Sequence, residues 1–422
     1  MPVIVVLQTE PANELLSAQL DSNALQYVID IDFNSGSAVR PAVDSVLEVD
    51  YEVNGVVIAT EQYTESVYSY PILNTHQYKF TFDAQENIQA YFNEASDTIL
   101  ELFKGLHDTS SSAAYVANFR LIARAYTPSG NILISDGVNY TTNYRNAVNS
   151  VIHHLDQQNL NDFDQNVTTP AEWLTEKPQT ANLVCRDDDE QLALWDINLG
   201  GGATTGMTFR GYNSLGVAIS VGAITVPAIN ERVTIFPIGP QNIINAVGWS
   251  ITPPIMPDDP NMKYYDVFIS SPGLTTTKRF YLVDCCKKYR LYFKNRLGQY
   301  DTLTITSEQI ETYDVKSVGF EKNRGLTYSP IARGRNRMQA VAVQGWDMIK
   351  MKMRRAEAEW LKQLQLSVNV FLQIADYTGS EGYFITPVVI KDATFKNIDT
   401  SEAVTEVTFR IEASNTDRSQ RN

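Results

Sequence analysis

Apolar and polar residues alternate with the period of a half-buried strand through much of this 422-residue chain. In "YEVNGVVIATEQY", Val53, Val56 and Ile58 flank the dipeptide Asn54-Gly55. Asn-Gly suits a two-residue turn in which both positions need positive φ, so residues 51 to 63 are predicted to form a hairpin. "AYVANFRLIARAY" sets Tyr115, Ala117, Phe119, Leu121 and Ala123 on one face, and "TPSG" turns it into "NILIS". A second hairpin is expected over Tyr115 to Ser135. Between them, Asp83 and Glu86 have capping-box spacing, and Ile88, Tyr91 and Phe92 fall at helical spacing, so a short helix is expected there.

Further along, short β-like runs are separated by Gly and Pro clusters: "LGGGATTG", "GYNSLG", "FPIGPQ" and "TPPIMPDDP". Turn signals at such intervals, with no helical pattern between them, argue for sandwiches or barrels rather than a parallel α/β sheet. "KKYRLYFKNRLGQYDTLTIT", Lys287 to Thr306, has the strongest pattern. Tyr289, Leu291 and Phe293 share one face, Arg290, Tyr292 and Lys294 the other, with a turn at Asn295 to Gly298. "RRAEAEWLKQLQLS" is built of helix formers and predicts a helix at 355-366. The expected fold class is mainly β: tandem β-sandwich domains, Ig-like or jelly-roll-like, with a few short packed helices. The expected division is an acidic β domain with a short helix (1-150), a linker (151-170), a central sandwich (171-283) and a C-terminal β domain carrying the helix (284-422).

Charge changes this picture by its distribution. Residues 1 to 110 hold seventeen acids against three bases, nearly all of the net charge of -15. Between Lys278 and Arg296 the balance reverses to seven bases against one acid. A basic hairpin in an acidic chain fits contact with the acidic region of a neighbouring copy better than a grip on nucleic acid, which the overall charge opposes. Arg290, Lys294, Arg296, Tyr292 and Tyr300 are therefore the candidate subunit-interface residues.

Catalytic chemistry needs a nucleophile with its base, paired carboxylates or a metal set, and the sequence displays none. The run Asp187 to Glu190 lacks the alternating spacing that aims successive carboxylates at one calcium ion and reads as a solvated loop. "LGGGATTG" lacks the Gly-Lys-Ser/Thr ending of a phosphate loop. His153 and His154 read as exposed residues of the linker. Three cysteines, Cys185, Cys285 and Cys286, make no disulfide framework and no zinc spacing, pointing to a reduced compartment or indifference to redox. No catalytic residue, metal or cofactor is expected. The apolar run Val3 to Leu7 is too short for a signal peptide core and reads as a first strand, and the lack of any long apolar run implies no membrane partner.

Several stretches together resemble virion structural proteins of phages of the Bacteroidota, including crAss-like phages. "YKFTFDAQENIQAYF" is similar to their F-D-[IA]-x-x-I-[VL]-Q-x-Y signature, with Asn87 in place of Ile, and "AEWLTEKP" to their F-L-T-N-R-P segment, with Lys177 in place of Arg. "DCCKKYRLYFKNRLGQYDTLTI" resembles their Cys-x-x-Tyr-x-Leu-x-Phe-x-Asn-x-x-Gly-x-Trp/Tyr-Asp hairpin, with Tyr300 where Trp is commoner. "VTFRIEASNTDRSQRN" is similar to their Asn-x-x-Arg-x-Gln-Arg-Asn ending. The motifs run in the family's order over roughly residues 20 to 422. The resemblance implies a non-enzymatic tail or head-tail component, a tail ring protein whose partners are copies of itself and other tail proteins, located in the virion and assembled in the bacterial cytoplasm. The acidic N-terminal quarter would then line a channel that DNA passes without binding. The alternative is a tail-tip module binding host glycan through exposed Trp or Tyr; a glycan-degrading enzyme ranks below both.

Overall fold

The computed structural model describes residues 3–9, 15–20, 26–34, 45–65, 75–93, 107–108, 116–129, 132–152, 173–196, 204–227, 232–244, 250–252, 257, 259–270, 277–284, 289–305, 309–321, 335–367, 369–375, 383–399, 404–414 and 417–418. In chain order the first strands are β1 (Val3–Thr9), β2 (Leu15–Leu20), β3 (Gln26–Asn34), β4 (Ser45–Val53), β5 (Val56–Glu65), β6 (Thr75–Asp83), β7 (His107–Asp108), β8 (Val116–Ser129), β9 (Ile132–Thr141) and β10 (Arg145–Ile152). They are followed by β11 (Leu183–Cys185), β12 (Gln191–Asp196), β13 (Thr204–Tyr212), β14 (Ala218–Pro227), β15 (Arg232–Pro237), β16 (Ser250–Thr252), β17 (Tyr264–Ser270) and β18 (Thr277–Val283). The last are β19 (Tyr289–Lys294), β20 (Tyr300–Ile305), β21 (Gln309–Glu321), β22 (Arg335–Arg354), β23 (Val370–Ala375), β24 (Tyr383–Asp399), β25 (Val404–Ala413) and β26 (Asp417–Arg418). The α-helices among the described residues are α1 (Gln85–Asn93), α2 (Pro240–Ile244) and α3 (Arg355–Leu366). The fold is mainly β, with few and short helices.

The chain divides into two compact units: Met1–Thr175 with Asp187–Lys278 and Arg296–Gln299, and Glu176–Arg186 with Arg279–Asn295 and Tyr300–Asn422.

In the first unit, β3 lies between β1 and β6, and a larger sheet runs β2-β10-β8-β4-β5 with β9 also on β8. Leu47, Val49, Tyr51 and Val53 of β4 and Phe119, Leu121 and Ala123 of β8 share one core with Tyr27 and Ile29 of β3, Tyr78 and Phe80 of β6, and Ile88 and Phe92 of α1. Two sheets thus face each other across one core, a β-sandwich. Its apolar side chains drive folding, each large one contributing roughly 1.5–3 kcal/mol on burial. The Asn54-Gly55 turn has φ of 50° and 82°, the left-handed pair that a two-residue hairpin demands. Asp83 Oδ1 accepts the Gln85 amide at 2.9 Å, so α1 opens where the sequence placed a cap. Elsewhere in this unit β13 pairs with β14 and β17, β16 joins β14, and β15 pairs with β12 and β7.

The second unit is built on an eight-stranded sheet, β20-β19-β23-β24-β25-β22-β21 with β26 on β22, with α3 packed on one face, and it also holds the parallel pair of β11 with β18 from Arg279 onward. Helical spacing brings Ala358, Trp360, Leu361 and Leu364 of α3 onto Leu291 and Phe293 of β19, Leu372 of β23 and Val407 and Ile411 of β25. Glu357 starts the helix by accepting the Arg354 amide at 2.9 Å. No helix among the described residues is long and apolar enough to cross a membrane.

Candidate functional site

The basic hairpin is β19 and β20, in antiparallel register from Tyr289↔Ile305 to Lys294↔Tyr300. As expected, Leu291 and Phe293 face the core, where the Phe293 ring lies 5.4 Å from that of Trp360. The opposite face departs from expectation. Arg290 is 0% exposed and Tyr292 4%, so neither forms an exposed basic surface. The cause is topological: β19 is an inner strand, flanked by β20 and β23, and its second face is covered as well. That face is a buried polar layer. Arg290 stands opposite Thr304 and Gln373, its guanidinium lies 5.4 Å from the Tyr292 ring, and the Tyr292 hydroxyl donates to Gln373 Oε1 at 2.6 Å. Lys294 is half-buried, and burial pulls its ammonium pKa down to about 7. Tyr300 is half-buried, and Arg296, in the turn, is the exposed member of the five.

The segment around Lys177 covers the outer side of this hairpin. Lys177 is buried, donates to Thr302 Oγ1 at 3.1 Å and lies 5.7 Å from the Trp360 ring. Trp360 in turn donates its indole N–H to Asp301 Oδ2 at 2.7 Å, and Gln363 donates to Glu176. The two motifs carrying the family resemblance here are therefore packed against each other.

The acidic run is not a solvated loop. Asp187 is exposed, but Asp188 and Glu190 are buried. Asn242 of α2 organises the turn: its Oδ1 accepts the amides of Glu190 and Gly239, each at 2.9 Å, and its Nδ2 donates to Asp189 Oδ1 at 3.0 Å. Glu190 O accepts from Ile238 and Gly239, and Asp188 O from Gln241. The backbone of the run and the Asp189 carboxylate are thus tied to the segment from Ile238 to Asn242. Cys185 is disulfide-bonded, against the expectation of a reduced set. The other two cysteines, Cys285 and Cys286, lie outside the described residues, as do His153, His154 and residues 199–203 of the glycine-rich stretch.

Acids of the first quarter are also paired in place. On the outer face of β4, Glu52 takes Arg120 Nε at 2.7 Å and the Tyr144 hydroxyl at 2.7 Å, while Arg124 joins Glu48 and Asp50. The Arg120 hydrogen bond holds the Glu52 carboxyl below its usual range. On the other face, Tyr63 donates to Glu61, and Tyr51 Oη lies 2.6 Å from Tyr63 Oη. Burial pulls the Glu61 carboxyl up, but hydrogen bonds from Tyr63, Asn87 and Tyr51 outweigh it and the carboxyl titrates low. Both phenols are pushed up, mainly by burial. A low acid beside two high phenols is a set of fixed donors and acceptors, not a pair tuned near neutrality.

β21 carries no clear strand signal in the sequence. This strand ends the sheet, pairing with β22 on one side and with no strand among the described residues on the other. Ile310, Tyr313, Val315 and Val318 are exposed along it, Tyr313 and Val318 by 60% or more. Its β-forming residues were visible, but apolar positions fall on both faces, so no alternation marked it.

No family model matches this chain, and no curated protein matches it. Solved structures give only distant likenesses. One is Dpr2 Ig1-Ig2 in complex with DIP-Theta Ig1-Ig3, at 7% identity over 97% of this chain and 89% of that one, with a TM-score of 0.14. Another is Sidekick-1 immunoglobulin domains 1-5, at 10% identity over 82% and 56%, with a TM-score of 0.14. A third is the β-glucuronidase of Parabacteroides merdae, at 10% identity over 67% and 30%, with a TM-score of 0.12. Scores this low carry no functional inference, and the β architecture rests on the sheets themselves.

A glycan platform needs exposed aromatic faces. Trp173, Trp346 and Trp360 are all buried. Tyr144 is exposed, but the Arg120 guanidinium lies 4.6 Å from its ring centroid. Tyr313 on β21 is thus the most exposed aromatic among the described residues, and it sits on a sheet edge rather than in a cleft.

Proposed function

We propose that this chain is a structural subunit of a virion, an oligomerising component of the tail or head-tail region of the kind its motifs resemble. The observation that carries this reading is β21: a thirteen-residue edge strand with exposed apolar side chains on both faces. An uncovered edge of this length templates pairing with another chain, and proteins that stay monomeric cover or shorten such edges. The burial of Arg290, Lys177, Asp188, Glu190 and Glu52, with Lys177 bonded to Thr302 and Glu52 to Arg120, supports a scaffold as well. Of the hairpin candidates, Arg296 is the exposed one.

Electron microscopy of the purified full chain in negative stain tests the reading. Rings or other closed oligomers are expected; dispersed monomers at every concentration would overturn it.

A further inference from the structure

The two edges of the second unit's sheet differ. At β20, Lys177 lies against Thr302 and the segment Glu176–Arg186 runs alongside; at β21 the residues from Ile310 to Val318 are exposed apart from half-buried Thr312. An edge that is covered at one end and open at the other points to a partner at the open one.

We infer that β21 pairs antiparallel with β21 of a second copy, across a two-fold axis at Val315. The inference rests on the structural-subunit reading and names its contact. In a symmetric antiparallel pair each residue must meet one whose N–H and C=O point the same way, so the two-fold axis passes through a residue. A register irregularity between Val318 and Gly319 limits the regular stretch on one side. Within it, an axis at Asp314 or at Lys316 opposes like charges, and an axis at Tyr313 brings no opposite charges together. An axis at Val315 sets Asp314 against the second copy's Lys316 twice, Val315 against Val315, Tyr313 against Ser317 and Thr312 against Val318. That gives seven paired residues, an ordinary strand length.

The local charges need such a cation. Asp314, Asp347 and Glu412 share Arg410 and Lys391, three carboxylates to two bases. Lys316 is exposed and makes no ion pair among the described residues. Delivered across the axis, it completes the set. A two-fold contact closes on itself, so it forms a dimer or joins two rings back to back.

Sedimentation velocity of the full chain reads the contact. Lys316→Glu, which opposes Asp314 with a second carboxylate at both ends, is expected to raise the dimer dissociation constant roughly tenfold or more. Asp314→Lys should do the same, and an equimolar mixture of the two variants should associate again, because each then meets its opposite. Val315→Cys should oxidise to a dimer linked 315 to 315 in a peptide map, and Ser317→Cys should not. Circular dichroism checks folding of each variant, whose substituted side chains are exposed. If assemblies form but ignore Lys316→Glu and Val315→Cys does not link, this contact is wrong while the subunit reading stands. If the unmodified chain is monomeric throughout, both are overturned.

Discussion

Asn242 Oδ1 accepts the backbone amide of Glu190 at 2.9 Å across 52 residues of chain. That bond, with those to Gly239 and Asp189, fixes the acidic run against α2. Asn242→Ala leaves two buried amides without this acceptor and is expected to cost roughly 2–4 kcal/mol, read as a lower urea midpoint. Gly239→Ala should cost at least as much. A Cβ there would lie 2.2 Å from Glu190 N and 2.6 Å from Asp188 O, both backbone atoms that cannot rotate away.

The disulfide at Cys185 predicts a specific chemistry. Cys185 ends β11, level with Val283 of β18, two residues before the vicinal pair Cys285-Cys286. A non-reducing peptide map should join the Cys185 peptide to the one containing both other cysteines, and alkylation of the denatured, unreduced chain should modify one thiol. Cys185→Ser, or a reductant, should lower stability by about 2–5 kcal/mol, since the bond closes a loop of about a hundred residues in the unfolded chain. Two alkylated peptides before reduction would refute the pairing.

Local signals were legible and long-range ones were not. Asn54-Gly55 needs only its own two φ angles, and the α3 helix only its own spacing, so both follow from the residues themselves. The core side of the hairpin, Leu291 and Phe293, follows from alternation. Alternation says that two faces differ, not that the second is open. Burial of Arg290 depends on β23, whose paired residue Gln373 lies far along the chain, so a basic face was read where a covered one exists. The acidic run failed as a solvated loop for the same reason, its partner Asn242 lying 53 residues from Asp189.

Arg290 and Arg296 carry the same charge in one hairpin and should respond oppositely to reversal. Arg290→Glu puts a carboxylate into a fully buried layer beside Tyr292 and Gln373, and is expected to destabilise by roughly 3–5 kcal/mol and to yield little folded protein. Arg296→Glu, at an exposed turn position, should leave the melting temperature within about 2 °C of the parent. Any loss of assembly in Arg296→Glu then reports an interface, whereas loss in Arg290→Glu reports the fold. Equal melting temperatures for the two variants would contradict the buried placement of Arg290.

Lys294 gives the fold a pH dependence in the alkaline range. Burial pulls its pKa to about 7, whereas an unfolded lysine titrates near 10.4. Between those values the unfolded state binds the extra proton, so stability should rise with pH from about 7 to about 10 and level off on either side. The slope approaches about 1.4 kcal/mol per pH unit, reduced by whatever solvent the half-buried ammonium retains. Lys294→Met keeps the length of the side chain and removes the charge. It is expected to stabilise the chain by roughly 1–3 kcal/mol at neutral pH and to flatten the profile above pH 7, while coming close to the parent near pH 10.5, where the lysine is neutral in the fold and about half neutral in the unfolded chain. Urea titrations of both proteins at pH 7, 8.5 and 10 decide it. An unchanged slope in Lys294→Met would assign the alkaline dependence to other groups, and a loss of stability at pH 7 would mean that the ammonium is held by a partner rather than merely buried.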